Sequence, residues 1–190
     1  MFASGRGTNL KAILNYPELK GKIEVKWLIT DNPFCKALKI AKKYNISFYC
    51  INNNKIKKNY DNIIELFNKD NIELIVLAGF LKLLPSEFVE YFKNRIINIH
   101  PALLPSFGGK GMYGMNVHKA VFNSKVSESG ATIHFVDNTY DTGKIMAQRK
   151  IDITNCNSAE EIAENVLKIE HQLLPETINK IAECKIKIGE

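Results

Sequence analysis

Runs of apolar residues, each about the length of a β-strand, alternate along this chain with longer segments of helical periodicity. Strands are predicted at residues 25–30, 48–51, 74–78, 96–100, 131–136 and 145–151, and helices at residues 36–44, 60–69, 86–92 and 117–122. Parallel strands need crossover connections, and helices in those connections cover both faces of a sheet. The alternation therefore predicts an α/β fold with a mostly parallel sheet and helices on both faces.

The two ends of the predicted fold carry further signals. Only residues 1–3 precede the first glycine turn, whereas such a sheet normally begins with a buried strand of about five residues. We therefore expect that the first strand is clipped or that the true start lies upstream. Near the other end, Ser158 and Glu161 have the spacing of a capping box, which predicts a long helix from Ser158. Pro175 is expected to interrupt or kink this helix, because proline removes a backbone donor.

The composition excludes several classes of protein. Of the 190 residues, 45% are hydrophobic and 24% are charged, which is typical of a folded domain and not of a disordered chain. The formal charge of +6 comes from 23 Lys and only 3 Arg, scattered over the chain. Nucleic-acid surfaces are more often rich in clustered Arg and aromatic residues. We therefore expect a single domain over residues 1–190 and no nucleic-acid partner.

Signals of membrane and secreted proteins are not found in the sequence. The longest stretch without Asp, Glu, Lys or Arg, residues 96–109, contains two prolines and is shorter than the ~20 apolar residues of a membrane span. The first residues do not form a basic and then apolar signal peptide. The four cysteines are far apart, so neither a disulfide framework nor a cysteine zinc site is indicated. A cytoplasmic protein without a membrane partner is expected.

The first candidate site is the turn S-G-R-G-T-N at residues 4–9, which precedes a predicted helix at residues 10–14. Glycines let the backbone approach an anion, and the amides of a helix N-terminus point donors at it. The turn therefore indicates a phosphate site, with a plain turn as the alternative. Leu10 occupies the third glycine position of a dinucleotide fingerprint, so that pattern does not fit. Asp31 is compatible with a nicotinamide ribose but also with an ordinary turn.

The second candidate site is the segment N-I-H-P at residues 98–101. Alternate residues of a strand share a face, so Asn98 and His100 project together while Ile97 and Ile99 point the other way. Pro101 ends the strand, and open α/β sheets bind ligands at the carboxyl ends of their strands. Asn and His side chains that only bond loop carbonyls are the alternative. Two polar groups in register at this edge favour a functional site.

The third candidate site combines the predicted strand 131–136 with the loop after it. Thr132 and His134 share one face, and a carboxylate from Asp141 is expected to meet His100 and raise its pKa by stabilising the imidazolium. The alternative is that Asp137 and Asp141 are solvated turn residues. His118 is expected to cap a helix or contact phosphate. A site formed by three histidines lacks the short ligand spacing of zinc motifs, so no metal is expected.

The fourth candidate site is the uncharged loop after the strand at residues 74–78, broken only by Lys82. An apolar wall with free backbone donors and acceptors suits a flat heteroaromatic ring, and a core-packed loop is the alternative. Glu170, in the long helix, reaches a ligand only if its face turns towards the strand ends.

Five motifs, in the order S-G-R-G-T-N, L-A-G-F-L-K-L-L, N-I-H-P-A-L-L-P, G-A-T-I-H-F-V and Y-D-T-G, closely resemble the phosphoribosylglycinamide formyltransferase family over nearly the whole chain. The resemblance implies a Rossmann-like formyltransferase fold in one domain. Its phosphate-binding half would cover about residues 1–95, and its catalytic and folate-binding half about residues 96–190. It further implies that the formyl group of 10-formyltetrahydrofolate, a co-substrate, is transferred to the amino group of glycinamide ribonucleotide in purine (IMP) biosynthesis. Direct attack by the amine through a tetrahedral intermediate requires no metal.

The same resemblance implies roles for single residues. Catalysis is implied for Asn98, His100 and Asp141, with His134 and His118 in supporting roles. The substrate phosphate is implied to bind at Gly5, Arg6, Gly7, Thr8 and Asn9, and the rest of the ribonucleotide at Gly79, Pro101 and Glu170. The folate is implied to bind at Phe80, Leu81, Lys82, Leu83, Leu84, Asn98, Asp137, Tyr140 and Asp141. The glycine-rich segment 107–115 is expected to be a variable part of the family that is mobile over the substrate.

Two other functions remain open from the residues. One is another folate-dependent formyl transfer, for instance to an amino-sugar nucleotide, or hydrolysis of the formyl folate. The other is a nucleotide-binding module without catalysis, suggested by G-R-G and Asp31. The expected partners are the two small-molecule substrates, and both a monomer and a homodimer are compatible with the sequence.

Overall fold

Six strands form the sheet in the computed structural model of this protein, which describes residues 1–189. The strands are β1 (Trp27–Thr30), β2 (Ser47–Cys50), β3 (Ile75–Leu77), β4 (Ile96–His100), β5 (Glu128–Phe135) and β6 (Ile145–Asp152). The helices are α1 (Thr8–Asn15), α2 (Ala37–Lys43), α3 (Ile56–Lys69), α4 (Ser86–Tyr91), α5 (Met115–Asn123) and α6 (Ala159–Ala182). Short 3₁₀ helices lie at Pro17–Leu19 and Asn53–Lys55. Every strand and helix predicted from the sequence is present, although α3 begins earlier than expected.

The first residues of the chain lie in the middle of the sheet. Phe2 forms parallel bridges to Ile29 in β1 and to Leu77 in β3. Its N–H donates to the Val76 carbonyl at 2.8 Å, and its own carbonyl accepts from the N–H of Ala78 at 3.0 Å. Residues 1–3 therefore supply a short strand that joins the β1–β2 pair to the sheet of β3 to β6.

The predicted mostly parallel sheet is confirmed, but one of its strands, β5, runs the other way. β1 pairs with β2 and β3 with β4 in parallel, whereas β5 is antiparallel to both β4 and β6. The connection between β5 and β6 is a short turn, and a short turn can join only antiparallel neighbours. Helix-length crossovers remain between the parallel strands, as the sequence pattern predicts.

Apolar side chains cover both faces of the sheet. On one face Ile97 and Ile99 pack with Val166 of α6, and on the other Phe2 and Ile96 join a cluster of aromatic residues. That cluster is formed by Tyr60, Phe67, Phe80, Phe88 and Phe92. Because Ile97 and Ile99 belong to the first face, the predicted alternation along β4 is confirmed. Asn98 and His100 therefore project from the face of the sheet opposite to α6.

The long C-terminal helix begins where the capping box predicts. The Ser158 hydroxyl accepts from the N–H of Glu161 at 3.2 Å, and the Glu161 carboxylate accepts from the N–H of Asn157 at 2.7 Å. Of the two effects expected of Pro175, an interruption is wrong, since α6 is continuous through it, and a kink stays a prediction. Leu174, Pro175 and Ile178 are all buried, and burial of apolar side chains opposes the loss of the single backbone hydrogen bond that proline removes.

Within residues 1–189 no helix is both long and apolar enough to cross a bilayer.

Candidate active site

A cleft of about 690 Å³ lies at the carboxyl ends of β3 and β4. Its walls are the turn of residues 5–9, the loop of residues 79–84, part of the glycine-rich loop of residues 107–115, and the turn that follows β5. Helix α6 closes one side with Ala163, Leu167 and Glu170. The four candidate sites predicted separately from the sequence therefore meet in one cavity, at the sheet edge where α/β folds bind ligands.

Asn98 and His134 face each other across β4 and β5 at this edge. The Asn98 Nδ2 amide donates to His134 Nε2 at 3.1 Å, and His134 Nδ1 donates to the Phe135 carbonyl at 2.8 Å. A carbonyl can only accept, so the proton of a neutral His134 ring lies on Nδ1 and Nε2 is the acceptor. This pair of hydrogen bonds fixes the orientation of the Asn98 amide.

His100 and Asp141 form the predicted pair. His100 Nδ1 lies 3.5 Å from Asp141 Oδ2, and the Nε2–H of His100 donates to the Phe107 carbonyl at 2.8 Å. The predicted rise in the pKa of His100 is wrong. Burial lowers this pKa and outweighs the Asp141 charge and the Phe107 hydrogen bond, which act in the opposite direction. His100 is therefore neutral in the free protein at neutral pH.

Asp141 is the point at which the polar groups of the site converge. Its Oδ2 accepts from the N–H of Gly109 at 3.0 Å, and its Oδ1 lies 3.5 Å from both Asn98 Nδ2 and His134 Nε2. Burial raises the pKa of Asp141, but the contacts with His134 and His100 and the Gly109 N–H outweigh burial and hold it below its ordinary value. Only 10% of the side chain is exposed. Asp141 is thus an ionised carboxylate inside the cleft and not a solvated turn residue.

Asp137, which was also expected to bind the folate, does not line the cleft. Its carboxylate accepts hydrogen bonds from the backbone N–H of Thr139, at 3.0 Å, and from the Thr142 hydroxyl, at 2.8 Å. Asp137 therefore stabilises the turn that carries Tyr140 and Asp141, both of which line the cleft.

The turn of residues 5–9 has the backbone geometry of an anion site. Gly7 has a φ of 72°, and α1 begins at the next residue, so the first amides of the helix are free of intrahelical partners. A Cβ on Gly7 would lie 2.8 Å from Ala37, whereas one on Gly5 would meet nothing within 4 Å. Arg6 is exposed beside them. Close packing against α2 therefore holds the turn while its other side faces the cleft.

Glu170 lies beside this turn. Asn9 Nδ2 donates to Glu170 Oε2 at 2.7 Å. Burial raises the pKa of Glu170 to about 7, although the Asn9 hydrogen bond and the nearby Arg6 act to lower it. The α6 face that carries Glu170 does turn towards the strand ends, as a ligand contact requires.

The loop of residues 79–84 is partly packed in the core and partly an apolar wall of the cleft, the two interpretations that its sequence left open. Phe80 and Leu84 are buried, and the Phe80 ring packs 5.2 Å from that of Phe2. Leu81 and Leu83 are 49% and 44% exposed. The loop is therefore anchored in the core by two residues and presents an apolar wall with the others.

His118 lies in α5 and lines the cleft, but it forms no helix cap. Burial and the neighbouring His100 lower its pKa to about 4, so its ring is neutral. Its Nδ1 atom is buried without a hydrogen-bond partner among the described residues. Gly79 and Pro101, both expected to contact the substrate, also line the cleft.

The contribution of the glycine-rich loop to the polar site was missed from the sequence. The Phe107 carbonyl accepts from His100, and the Gly109 N–H donates to Asp141. These are backbone groups, so no side-chain pattern marks them. The two glycines at residues 108 and 109 were the available signal, because glycine allows such a close approach of the backbone.

Across the described part of the chain, no group of three His, Cys, Asp or Glu side chains is arranged to hold a metal ion.

Known proteins resemble this chain in sequence. The family model described as formyl transferase matches residues 1–178. A chloroplastic phosphoribosylglycinamide formyltransferase of Vigna unguiculata is 40% identical over 98% of the chain, which spans only 61% of that relative. The phosphoribosylglycinamide formyltransferase of Bacillus subtilis is 33% identical, with 95% of the chain and 92% of the relative covered.

Solved structures give the same result. The crystal structure of phosphoribosylglycinamide formyltransferase from Bacillus halodurans superposes with a TM-score of 0.85 at 32% sequence identity. The match covers 97% of this chain and 95% of that one. Sequence and fold give the same answer, and the chain belongs to the formyl transferase family.

Proposed function

We propose that this protein transfers the formyl group of 10-formyltetrahydrofolate to the amino group of glycinamide ribonucleotide, a step of purine biosynthesis. The observation that carries the proposal is that Asn98, His100 and Asp141 lie in the same cleft as the glycine turn at residues 5–9. Relatives named phosphoribosylglycinamide formyltransferase support the choice of acceptor.

The ribonucleotide would bind through its phosphate at the turn of residues 5–9. Backbone N–H groups at the start of α1 donate to the phosphate oxygens, and the positive end of the helix dipole favours the negative charge. Arg6 adds a formal charge at the rim. Glu170 would bind the sugar hydroxyls, since it faces the cleft beside Asn9. Gly79 and Pro101 would contact the part of the substrate between the sugar and the amine.

The folate would bind against the apolar wall of the loop at residues 79–84. Leu81 and Leu83 would cover a face of the pterin, and backbone groups of the loop would form hydrogen bonds with the ring nitrogens of the pterin. Tyr140, on the opposite turn, would contact the same ring system. The volume of about 690 Å³ falls in the range of sites that hold drug-sized ligands.

The reaction requires groups that stabilise two developing charges. Attack of the neutral amine on the formyl carbon builds negative charge on the formyl oxygen and positive charge on the amine nitrogen. The Asn98 amide and the His100 Nε2–H would donate to that oxygen, with Nε2–H leaving the Phe107 carbonyl. One such preorganised donor typically contributes 10²- to 10³-fold to turnover.

Asp141 would control the protons of the reaction. Facing His100 Nδ1, its carboxylate would favour protonation of that nitrogen from solvent when the substrates bind, so that an imidazolium faces the negative charge on the formyl oxygen. His100 would return this proton to solvent when the products leave. The proton lost by the amine would pass, through Asp141 and an ordered water, to the leaving folate nitrogen when the tetrahedral intermediate collapses. No bond between the protein and the formyl group is needed.

The experiment that tests this function compares acceptors for one formyl donor. Purified protein is incubated with 10-formyltetrahydrofolate and, in separate reactions, glycinamide ribonucleotide, an amino-sugar nucleotide or water alone. We expect a formylated product only with the ribonucleotide. Formylation of the amino sugar or release of formate at a comparable rate would overturn the assignment. A cytoplasmic location, two small molecules as the only partners, and a monomer or homodimer remain predictions.

A further inference from the structure

Asp31 follows β1 and was left without a role by the proposed function. Its carboxylate accepts a hydrogen bond from the Ser4 hydroxyl, and the Lys82 ammonium lies 3.0 Å from its Oδ2. Only 14% of the Asp31 side chain is exposed. Because Ser4 and Lys82 occupy the carboxylate, it is not available for the nicotinamide ribose that its position after a strand suggested.

The two partners of Asp31 belong to different parts of the cleft. Ser4 immediately precedes the turn of residues 5–9, and Lys82 lies in the loop of residues 79–84. A backbone hydrogen bond of 3.1 Å from the Ser4 N–H to the Gly79 carbonyl joins the same two segments. Asn32 adds a longer bond of 3.4 Å to the Ser4 carbonyl. Neither Ser4 nor Asp31 lines the cleft, whereas Lys82 does.

The charge of Asp31 strengthens this connection. Burial raises the pKa of its carboxyl, but the hydrogen bonds from Ser4 and Lys82 outweigh burial and hold the pKa below its ordinary value. The carboxylate is therefore ionised at neutral pH, and ionised acceptors form stronger hydrogen bonds than neutral ones. The Lys82 side chain is 44% exposed, so its ion pair is a modest part of the link.

We propose that Asp31 is a positioning residue that couples the turn of residues 5–9 to the loop of residues 79–84, so that ligand binding at one favours binding at the other. The identity of the two ligands rests on the proposed function. A phosphate that fixes the turn also fixes Ser4, and through Asp31 it fixes Lys82 and the loop. The coupling is reciprocal, since each ligand must change the affinity of the other by the same factor.

The test uses two substitutions, one in each segment, and measures for each the KM of the ligand that binds at the other segment. Ser4→Ala is expected to raise the KM for 10-formyltetrahydrofolate, and Lys82→Met the KM for glycinamide ribonucleotide, each about fivefold. Asp31→Asn is expected to raise both values, while kcat stays within about twofold, because no reacting atom is touched. In the double variant Ser4→Ala/Lys82→Met, the increase in each KM is expected to be smaller than the product of the increases in the two single variants. The reason is that both substitutions act through the Asp31 carboxylate.

Two controls separate coupling from general damage. Asp70→Asn removes another partly buried carboxylate, which accepts a hydrogen bond of 2.6 Å from the indole of Trp27, the first residue of β1. This variant should leave both KM values unchanged. Lys82→Arg keeps the charge and should restore the KM for the ribonucleotide. The proposal is overturned if Ser4→Ala changes only the KM for the ribonucleotide and Lys82→Met only the KM for the folate. It is also overturned if Asp31→Asn, like Asp70→Asn, leaves both KM values unchanged.

A binding experiment distinguishes this proposal from the proposed function. If the wild-type protein forms no formylated product, the proposed function fails, but calorimetry with inorganic phosphate and tetrahydrofolate still measures the coupling. Phosphate is expected to tighten tetrahydrofolate binding in the wild-type protein and not in Asp31→Asn. Equal affinities with and without phosphate in the wild-type protein, or the same gain in both proteins, would overturn the coupling.

Discussion

Asp141 determines whether the polar side chains of the cleft act together. The carboxylate of this one residue lies within 3.5 Å of Asn98, His100 and His134, and it also accepts from the Gly109 backbone. Its backbone φ of 58° is one that aspartate tolerates better than most residues. Removing its charge should therefore leave the site in place but remove the group that favours protonation of His100.

The first prediction follows from this arrangement. Asp141→Asn keeps the size of the side chain but not its charge, so we expect turnover to fall by about 10³-fold or more, with little change in the KM for the ribonucleotide. Steady-state kinetics measures both quantities. Asp152→Asn, at the exposed end of β6, is the control and should retain full turnover. Unaltered turnover in Asp141→Asn would remove Asp141 from the mechanism.

Glu170 gives a second residue-scale prediction, for stability against pH. Its pKa is raised from 4.5 to about 7 in the folded protein, so the folded state binds more protons between those values and the free energy of unfolding falls as pH rises through them. Glu170→Gln removes this loss. The variant should equal the wild type near pH 4.5 and exceed it by roughly 3 kcal/mol at pH 8.

Urea denaturation at the two pH values measures the difference between Glu170→Gln and the wild type. Glu164→Gln, on the exposed face of the same helix, is the matched control and should have a small effect at both. A stability difference for Glu170→Gln that does not change with pH would contradict the raised pKa.

The sequence alone predicted which polar residues meet in the cleft, but it did not predict the direction of the His100 pKa or all of the hydrogen bonds. Strand alternation placed Asn98 and His100 on one side of β4, because a period of two is a local property of the backbone. The pKa of His100 was assigned the wrong direction, because burial is set by packing from distant segments. The hydrogen bond between Asn98 and His134 also depends on the pairing of β4 with β5, which no local pattern encodes.

At the scale of elements, the turn of residues 5–9 depends on one of its two glycines. Gly7 combines a φ of 72° with a packing distance that leaves no room for a Cβ against Ala37. Gly7→Ala should therefore lower the free energy of unfolding by more than the ~1 kcal/mol of a left-handed alanine, and it should weaken phosphate binding. Gly5→Ala should leave stability unchanged, because its Cβ meets nothing within 4 Å.

Urea denaturation and calorimetry with inorganic phosphate measure the stability and the phosphate affinity of these two variants. Equal stabilities of Gly7→Ala and Gly5→Ala would show that the contact with α2 does not hold the turn.

Helix α6 illustrates why element boundaries were only partly predictable. Its start was marked by the hydroxyl and carboxylate of the capping box, which act within one turn. Pro175 does not interrupt the helix as expected, because local rules count the lost hydrogen bond and not the burial of Pro175 together with Leu174 and Ile178. Tertiary packing also decided the antiparallel pairing of β5, which follows a helical connection typical of parallel strands.

For the whole molecule, the sheet brings together residues far apart in the chain. The turn of residues 5–9 and the loop of residues 79–84 come from the first half, and Asn98, His100 and Asp141 from the second. The alternation of strands and helices predicted this layered architecture, since it is repeated along the entire sequence. We propose that residues 1–190 form one domain.

A single domain predicts one cooperative unfolding transition. Trp27, the single tryptophan, reports by fluorescence on β1 in the first half, and far-ultraviolet circular dichroism reports largely on helices, of which α6 in the second half is the longest. The two urea transitions should coincide. Separate midpoints would show that the halves unfold independently.

The central claim is that the formyl group passes directly from folate to the ribonucleotide amine in this cleft. The most direct measurement follows a ¹³C-labelled formyl group by NMR, with 10-formyltetrahydrofolate as donor and glycinamide ribonucleotide present, in the wild-type protein and in Asp141→Asn. The label is predicted to appear in the formamide of the ribonucleotide with the wild-type protein, and about 10³-fold more slowly with the variant. Label that stays on the folate or appears as free formate with the wild-type protein would contradict the account.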